Sequence, residues 1–100
     1  MTGLSSRQRS RLRSLAHGLD PVVRVGRAGV TDAVLREVDE ALAARELIKV
    51  RLSGERDERA GEAASIADPT GAALAGLIGR VAILYRRHPD PERRRIELPD

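Results

Sequence analysis

The sequence predicts an α/β fold, a compact sandwich in which helices pack on a mixed four-stranded sheet. Two observations support this prediction. Apolar residues at helical spacing alternate along the chain with short β-branched runs, in the order α-β-α-β-α-β-β. In addition, a chain of 100 residues that is 41% hydrophobic suits one domain with one modest core. Because Tyr85 is the only aromatic residue, that core must be aliphatic.

The first half of the chain predicts a helix, a strand and a second helix. Ser5 to Gly18 forms the first helix, whose apolar stripe at helical spacing consists of Leu12, Leu15, Ala16 and Leu19. The hydrophobic run from Val22 to Val25 follows a proline and predicts a strand. Thr31 is expected to cap the second helix, whose apolar face consists of Val34, Leu35, Val38, Ala41 and Leu42.

The next segment predicts a strand followed by a weakly amphipathic helix. Residues Leu47 to Leu52 alternate in the manner of a strand, which directs the side chains of Lys49 and Arg51 away from the core. The stretch from Glu55 to Asp68 is polar and then alanine-rich. It predicts a helix that packs through Ala60, Ala63, Ala64 and Ala67. Pro69 is expected to end this helix.

Two strands and a charged tail complete the chain. Ala73 to Ile78 and Val81 to Tyr85 are apolar runs joined by a tight connection, which predicts a paired hairpin. The proline and arginine content after that suggests a loose extension, in which residues 95–98 alternate and could add a short edge strand. We therefore expect a domain over residues 1–87 and a basic, proline-containing extension over residues 88–100.

Composition and motifs exclude several classes of function. The chain has no cysteine, which excludes disulfides and thiolate metal sites, and its apolar runs are shorter than the roughly 20 residues that a membrane helix needs. No secretory signal begins the sequence, so a cytoplasmic protein without membrane contact is expected. His17 and His88 lie apart, and no catalytic motif occurs. We expect no enzyme activity, no metal and no cofactor.

The distribution of positive charge suggests an anionic partner. Net charge is only +3, but Lys49 is the sole lysine and no acidic residue precedes Asp20. The first helix consequently carries four arginines without an acidic neighbour: Arg7, Arg9, Arg11 and Arg13. Arginine matches phosphate with a planar fork of donors. The arginines could also form a merely solvated helix face, or reflect the codon bias of a GC-rich genome.

A glycine loop lies where the first strand meets the second helix. Glycine permits positive φ and close approach of a ligand to the backbone, and the helix start beyond it presents free N–H groups. Gly26, Arg27, Ala28 and Gly29 therefore suggest an anion site, similar to the GxxG loop with which KH domains clamp nucleic-acid backbone. A second GxxG, Gly76 to Gly79, has apolar middle residues and is interpreted as strand packing with a bend.

Two segments together resemble one known family. "LSSRQRSRLRSLAHGLDPVVRVGRAGVTDAVLREVDEALAARELIKVRL", residues 4–52, and "IGRVAILYRR", residues 78–87, resemble the CRM domain, in particular its small bacterial YhbY-like members. The ordered combination is specific: Leu-Ala-His, Pro-Val-Val, GxxG, a threonine-capped helix, Glu-Leu-Ile-Lys-Val and Leu-Tyr-Arg. The match is poorest over residues 53–75 and after residue 87.

The resemblance implies an RNA-binding module with a fold similar to the C-terminal domain of translation initiation factor three. Bacterial members are associated with precursors of the large ribosomal subunit, and plant relatives with organellar intron splicing. Ribosomal RNA of that precursor is thus the expected partner of a monomer that assists ribosome assembly. The family's GxxG loop maps to Gly26–Gly29, and its basic positions map to Arg80 and Arg86.

Two further functions remain as alternatives. A protein-interaction adaptor could use the acidic face of the second helix, which carries Glu37, Asp39 and Glu40. Non-specific DNA binding through the arginine helix is the second alternative, although no helix-turn-helix pattern is evident. RNA binding should weaken steeply as salt rises, whereas adaptor contacts through apolar groups should not.

Overall fold

The computed structural model describes residues 3–99. The first two residues of the predicted range 1–87 and the last residue of the predicted range 88–100 lie outside the described residues. The predicted element order is confirmed. The elements are α1 (Ser6–Ala16), β1 (Val23–Arg24), α2 (Asp32–Arg45), β2 (Leu47–Arg51), α3 (Arg59–Thr70), β3 (Ala73–Ile78), β4 (Val81–Tyr85) and a 3₁₀ turn (Pro91–Arg93).

The sheet is mixed and has the strand order β1-β2-β4-β3. β1 pairs with β2 in parallel, because the crossover helix α2 joins them, and the other two pairs are antiparallel. β1 itself is short, yet Val22 N–H donates to the Lys49 carbonyl (3.0 Å) and Val25 N–H to the Arg51 carbonyl (2.9 Å). The hydrogen bonding therefore covers the whole predicted run from Val22 to Val25.

Two aliphatic clusters lie on opposite faces of the sheet. The larger is packed between the sheet and helices α2 and α3, and includes Val38, Leu42, Ile48, Val50 and Ile66. The smaller lies under α1 and includes Leu12, Ala16, Leu47, Ile83 and Tyr85. Apart from Tyr85, both clusters are aliphatic, as predicted, and α1 covers the face opposite α2 and α3. Across residues 3–99, no helix combines the length and apolar character needed to span a bilayer.

Local capping explains where α1 and α2 begin. The Ser5 hydroxyl accepts from Gln8 N–H (3.1 Å), while the Gln8 side chain accepts from Ser5 N–H (3.0 Å), a reciprocal capping box. The Thr31 hydroxyl accepts from Val34 N–H (3.2 Å), as predicted for the start of α2. Both caps satisfy amides that lack partners inside the helix.

The third helix differs from its prediction at both ends. It begins at Arg59 because Glu55–Glu58 closes a separate turn, in which Glu58 N–H donates to the Glu55 carbonyl (2.8 Å). Pro69 lies inside the last turn and does not end the helix; Gly71 ends it in the left-handed region at φ 69°. Ile66, outside the predicted alanine face, is fully buried, while Ala60 and Ala64 are exposed.

The C-terminal tail packs on the domain, contrary to the predicted loose extension. Ile96 and Leu98 contact the cluster under α1, and the Pro99 carbonyl accepts from the Gln8 side chain (3.0 Å). Residues 95–98 form no strand; instead the buried carboxylate of Glu46 accepts their backbone N–H groups from Arg95 and Ile96. A side-chain acceptor thus replaces the expected strand pairing.

Candidate nucleic-acid interface

The glycine loop between β1 and α2 is a closed, exposed turn. Gly29 N–H donates to the Gly26 carbonyl (3.0 Å), which leaves Arg27 and Ala28 exposed at the tip. Gly29 has φ 77° and therefore favours glycine, whereas Gly26 has no such requirement. A Cβ at Gly26 would meet no atom within 4 Å, so this side of the turn is open to a ligand.

Helix α2 begins directly beyond this loop. The Thr31 hydroxyl already occupies the Val34 amide, and exposed Asp32 stands in the first helical turn. An acidic side chain there stabilises the helix dipole, and it also reduces the positive potential that an anion would meet. The anion site consequently depends on the guanidinium of Arg27 more than on the helix start alone.

Arg80 lies at the same end of the sheet as the glycine loop. Val25 N–H donates to the Arg51 carbonyl (2.9 Å) and Leu52 N–H to the Arg80 carbonyl (2.6 Å), so the chain leaving β1, the chain leaving β2 and the β3–β4 turn are adjacent. The Arg80 side chain remains 42% exposed, and its nearest carboxylate oxygen, on Glu55, is 4.0 Å away. A pair that long and exposed stabilises little, and the two bonds that Arg80 Nη1 donates to the Ser53 and Gly54 carbonyls are also long, at 3.4 Å each. A phosphate can therefore compete for this guanidinium.

The four arginines of α1 do not form one surface. Arg13 donates to the Ala75 carbonyl (3.1 Å) and its methylenes cover Gly76, as the prediction of strand packing for the second GxxG requires. Arg9 turns back to Ser6 Oγ (3.3 Å) at the start of the helix. Arg7 is exposed, and Arg11 lines a groove between α1 and the tail. The contact of all four with RNA stays a prediction.

Arg86 lies at the opposite end of β4 from Arg80, about 20 Å along the strand direction. Its guanidinium contacts Asp39 Oδ1 (2.6 Å) and the Thr70 carbonyl (2.8 Å), which ties the end of β4 to α2 and α3. The structure does not bring Arg86 together with the glycine loop. Its role in RNA binding stays a prediction. Its contacts with Asp39 and Thr70 give it a structural role.

Two further arginines at this end of the sheet are not predicted as site residues, although Arg51 is expected to point away from the core. Arg24 on β1 is the register partner of Arg51 on β2, and both side chains are exposed. The alternation in "VVRV" and "IKVRL" carries the necessary signal, because it places both arginines on the face opposite the buried valines. Their adjacency could not be inferred without the pairing register.

Tyr85 is packed and offers no platform for base stacking. It is 3% exposed, within the cluster under α1. Burial raises the pKa of its hydroxyl above the ordinary value of 10.0, the charge of Glu46 raises it further, and Arg87 and Arg94 oppose the shift. The predicted packing of this ring is confirmed.

Fold and site define the class of this protein: a small α/β module that presents a glycine turn and exposed arginines at one end of its sheet. Over residues 3–99, no group of three or more His, Cys, Asp or Glu side chains is placed to hold a metal ion. The chain belongs to the CRS1 / YhbY (CRM) domain family, whose model matches residues 4–86.

Relatives and a solved structure agree with this assignment. The chain is 41% identical to an "RNA-binding protein" of Haemophilus influenzae, over 99% of this chain and 98% of the relative. It is 37% identical to "Probable RNA-binding protein YqeI" of Bacillus subtilis, over 96% of this chain and 99% of the relative. The solution structure of SAV1595 from Staphylococcus aureus matches with a TM-score of 0.83 and 33% identity, covering 96% of this chain and 99% of that one.

Proposed function

We propose that this protein binds RNA through the end of the sheet that carries the glycine loop. The observation that carries the proposal is the exposed Arg27 at the tip of a turn whose Gly26 side is open. A phosphate can approach this backbone closely and meet a planar fork of donors. The family assignment and the names of the relatives support RNA as the polyanion.

The recognised RNA is structured. Base-specific reading of single strands relies on aromatic stacking platforms. The one aromatic side chain, Tyr85, is packed in the core. Contacts from arginines to phosphates and riboses read the shape of a folded RNA instead, with little dependence on base identity.

The cellular partner that we propose is ribosomal RNA in precursors of the large subunit, within the cytoplasm. This step rests on the resemblance to bacterial YhbY-like proteins. Its physical support is separate: a small module whose described residues offer an anion-binding turn can act on a folding RNA by binding alone. Holding one RNA segment in place during assembly requires no chemical step.

Sedimentation tests this function. Tagged wild-type protein should co-sediment with immature large-subunit particles in a low-salt sucrose gradient and leave them at high salt, since phosphate contacts release counterions. The double variant Arg27→Asp with Ala28→Asp should remain at the top of the gradient. Wild-type protein at the top in low salt would contradict the assembly role.

The adaptor alternative predicts a different result. Asp39 of the acidic face contacts Arg86 (2.6 Å) and yet stays 61% exposed, so Glu37, Asp39 and Glu40 all present carboxylates there. A partner that docks on this face would be lost on charge reversal of Glu37 and Glu40, with the glycine loop intact. Retention of large-subunit association in such a variant separates the two functions.

A further inference from the structure

A row of side chains crosses the whole sheet beside the glycine loop. Arg24 pairs with Arg51, Arg51 with Val81, and Val81 with Ile78, so one residue from each strand lies in this row. Partners in register point to the same side of a sheet, and neighbouring strands are about 4.8 Å apart. The row, called here the cross-sheet row, therefore spans about 14 Å.

The cross-sheet row lies on the face that α1 covers only in part. Along that face, α1 and the chain that follows it contact the neighbouring row: Lys49 Nζ donates to the Leu19 carbonyl (2.8 Å), and Arg13 lies over Gly76. Beyond these contacts the face is open, and Ile78 is 62% exposed. The open strip is flanked by α1 on one side and by the glycine loop with the β3–β4 turn on the other.

The charges in the row oppose folding. Like charges on directly paired residues destabilise a sheet, and Arg24 beside Arg51 is such a pair. The four strands contain no acidic residue, and the ion pairs found among residues 3–99 involve neither arginine. An arrangement that costs stability and leaves two guanidiniums facing solvent is typical of a surface for an anionic ligand.

Arg27 lies in the loop that directly follows β1. It follows Arg24 by three residues, and the hydrogen bond from Val25 N–H to the Arg51 carbonyl (2.9 Å) keeps the start of the loop beside the end of β2. A polyanion seated on Arg27 thus meets Arg24 and Arg51 next. The other half of the row is apolar and consists of Val81 and Ile78.

We propose that the cross-sheet row is a second RNA-contact surface, along which the backbone of a structured RNA continues from the glycine loop. Arg24 and Arg51 bind phosphates, and Ile78 packs against a ribose. This inference rests on the proposed function, because it assumes that the polyanion on the glycine loop is RNA. It adds residues for which composition and family resemblance gave no role.

The test uses the full chain and a labelled RNA hairpin. The double variant Arg24→Gln with Arg51→Gln is compared with Arg36→Gln with Arg45→Gln, which removes the same charge from exposed positions of α2. Each lost phosphate contact should lower the slope of log K against log salt by about 0.7–0.9. Two lost contacts should weaken binding by about 25- to 60-fold at 0.1 M salt. The α2 variant should bind as wild type does.

Two further measurements keep the outcomes distinct. The melting temperature of the row variant should equal or exceed that of wild type, since the substitution removes a like-charge pair. On titration of wild-type protein with the hairpin, the amide NMR signals of Arg24, Arg51 and Val81 should shift. Wild-type binding that persists in the row variant, or unshifted amides in the row, would overturn the second surface and leave the proposed function standing. Wild-type protein that binds no hairpin RNA would overturn both.

Discussion

Glu46 should hold the C-terminal tail against the domain, and its substitution by glutamine should release that tail. Glu46 follows α2 directly, is 1% exposed and has φ 65°. Its carboxylate accepts backbone N–H groups of His88 (2.8 Å), Arg95 (2.5 Å) and Ile96 (3.2 Å). Glu46 thus satisfies three amides of a segment that forms no strand of its own.

The expected cost of Glu46→Gln follows from this geometry. The amide group of glutamine replaces one accepting oxygen by a donor, so at least one of the three bonds is lost. A hydrogen bond to a charged group contributes about 1.5–3 kcal/mol. The loss of stability stays below the sum for all three bonds, because the tail can detach and its amides can then bind water. We expect a loss of about 2–3 kcal/mol in the free energy of unfolding. Backbone strain at this position is the same for both side chains.

Urea unfolding and limited trypsin digestion measure the two parts of this effect. The variant should unfold at lower urea, and trypsin should cut faster at the tail arginines Arg93, Arg94 and Arg95 than in wild type. Glu97→Gln is the matched control, since Glu97 is an exposed carboxylate of the same tail. Equal stability within about 0.5 kcal/mol together with an unchanged cleavage rate would refute the role of Glu46.

Four further predictions concern the loop, the first helix and, in two of them, the aromatic residue. Arg27→Asp with Ala28→Asp should greatly weaken RNA binding in a filter assay while the melting temperature changes little, because both side chains are exposed; unchanged affinity would exclude the anion site. Arg7→Gln with Arg11→Gln should flatten the salt slope by about 0.7–0.9 per lost contact, and a wild-type slope would show a merely solvated face. Tyr85→Ala should cost about 3 kcal/mol or more, measured by urea unfolding, and a loss confined to RNA affinity would contradict its packing. Folding raises the pKa of Tyr85, so the folded state holds the phenolic proton more tightly than the unfolded state does. The free energy of unfolding should therefore fall as pH rises above about 10, and this fall should be absent in Tyr85→Phe. Tyrosinate absorbance follows the titration directly.

Local signals explain the parts of the fold that the sequence predicts. The Ser5 and Thr31 caps act within three residues, and the apolar spacing of α2 defines its buried face without tertiary information. The hairpin of β3 and β4 follows from two apolar runs and a tight turn. The alanine-rich segment is the exception, because Pro69 is tolerated in a last helical turn that the Thr70 hydroxyl and Gly71 complete.

Long-range pairing explains what the sequence alone does not show. Contact between Glu46 and the tail joins residues about fifty positions apart, and no local pattern indicates it. The neighbouring positions of Arg24 and Arg51 depend on the parallel register of β1 and β2. The sequence identifies the glycine loop as a candidate site, while the extent of the surface around it becomes visible only once the strands are ordered.

RNA binding by this interface is tested most directly by crosslinking of the protein to RNA in living cells, with both partners of each crosslink identified. We predict RNA from precursors of the large ribosomal subunit, attached to peptides that contain Arg27 and Arg51. Crosslinks to RNA that is not ribosomal would contradict the assembly role, and crosslinks confined to peptides of the acidic face of α2 would contradict the proposed interface.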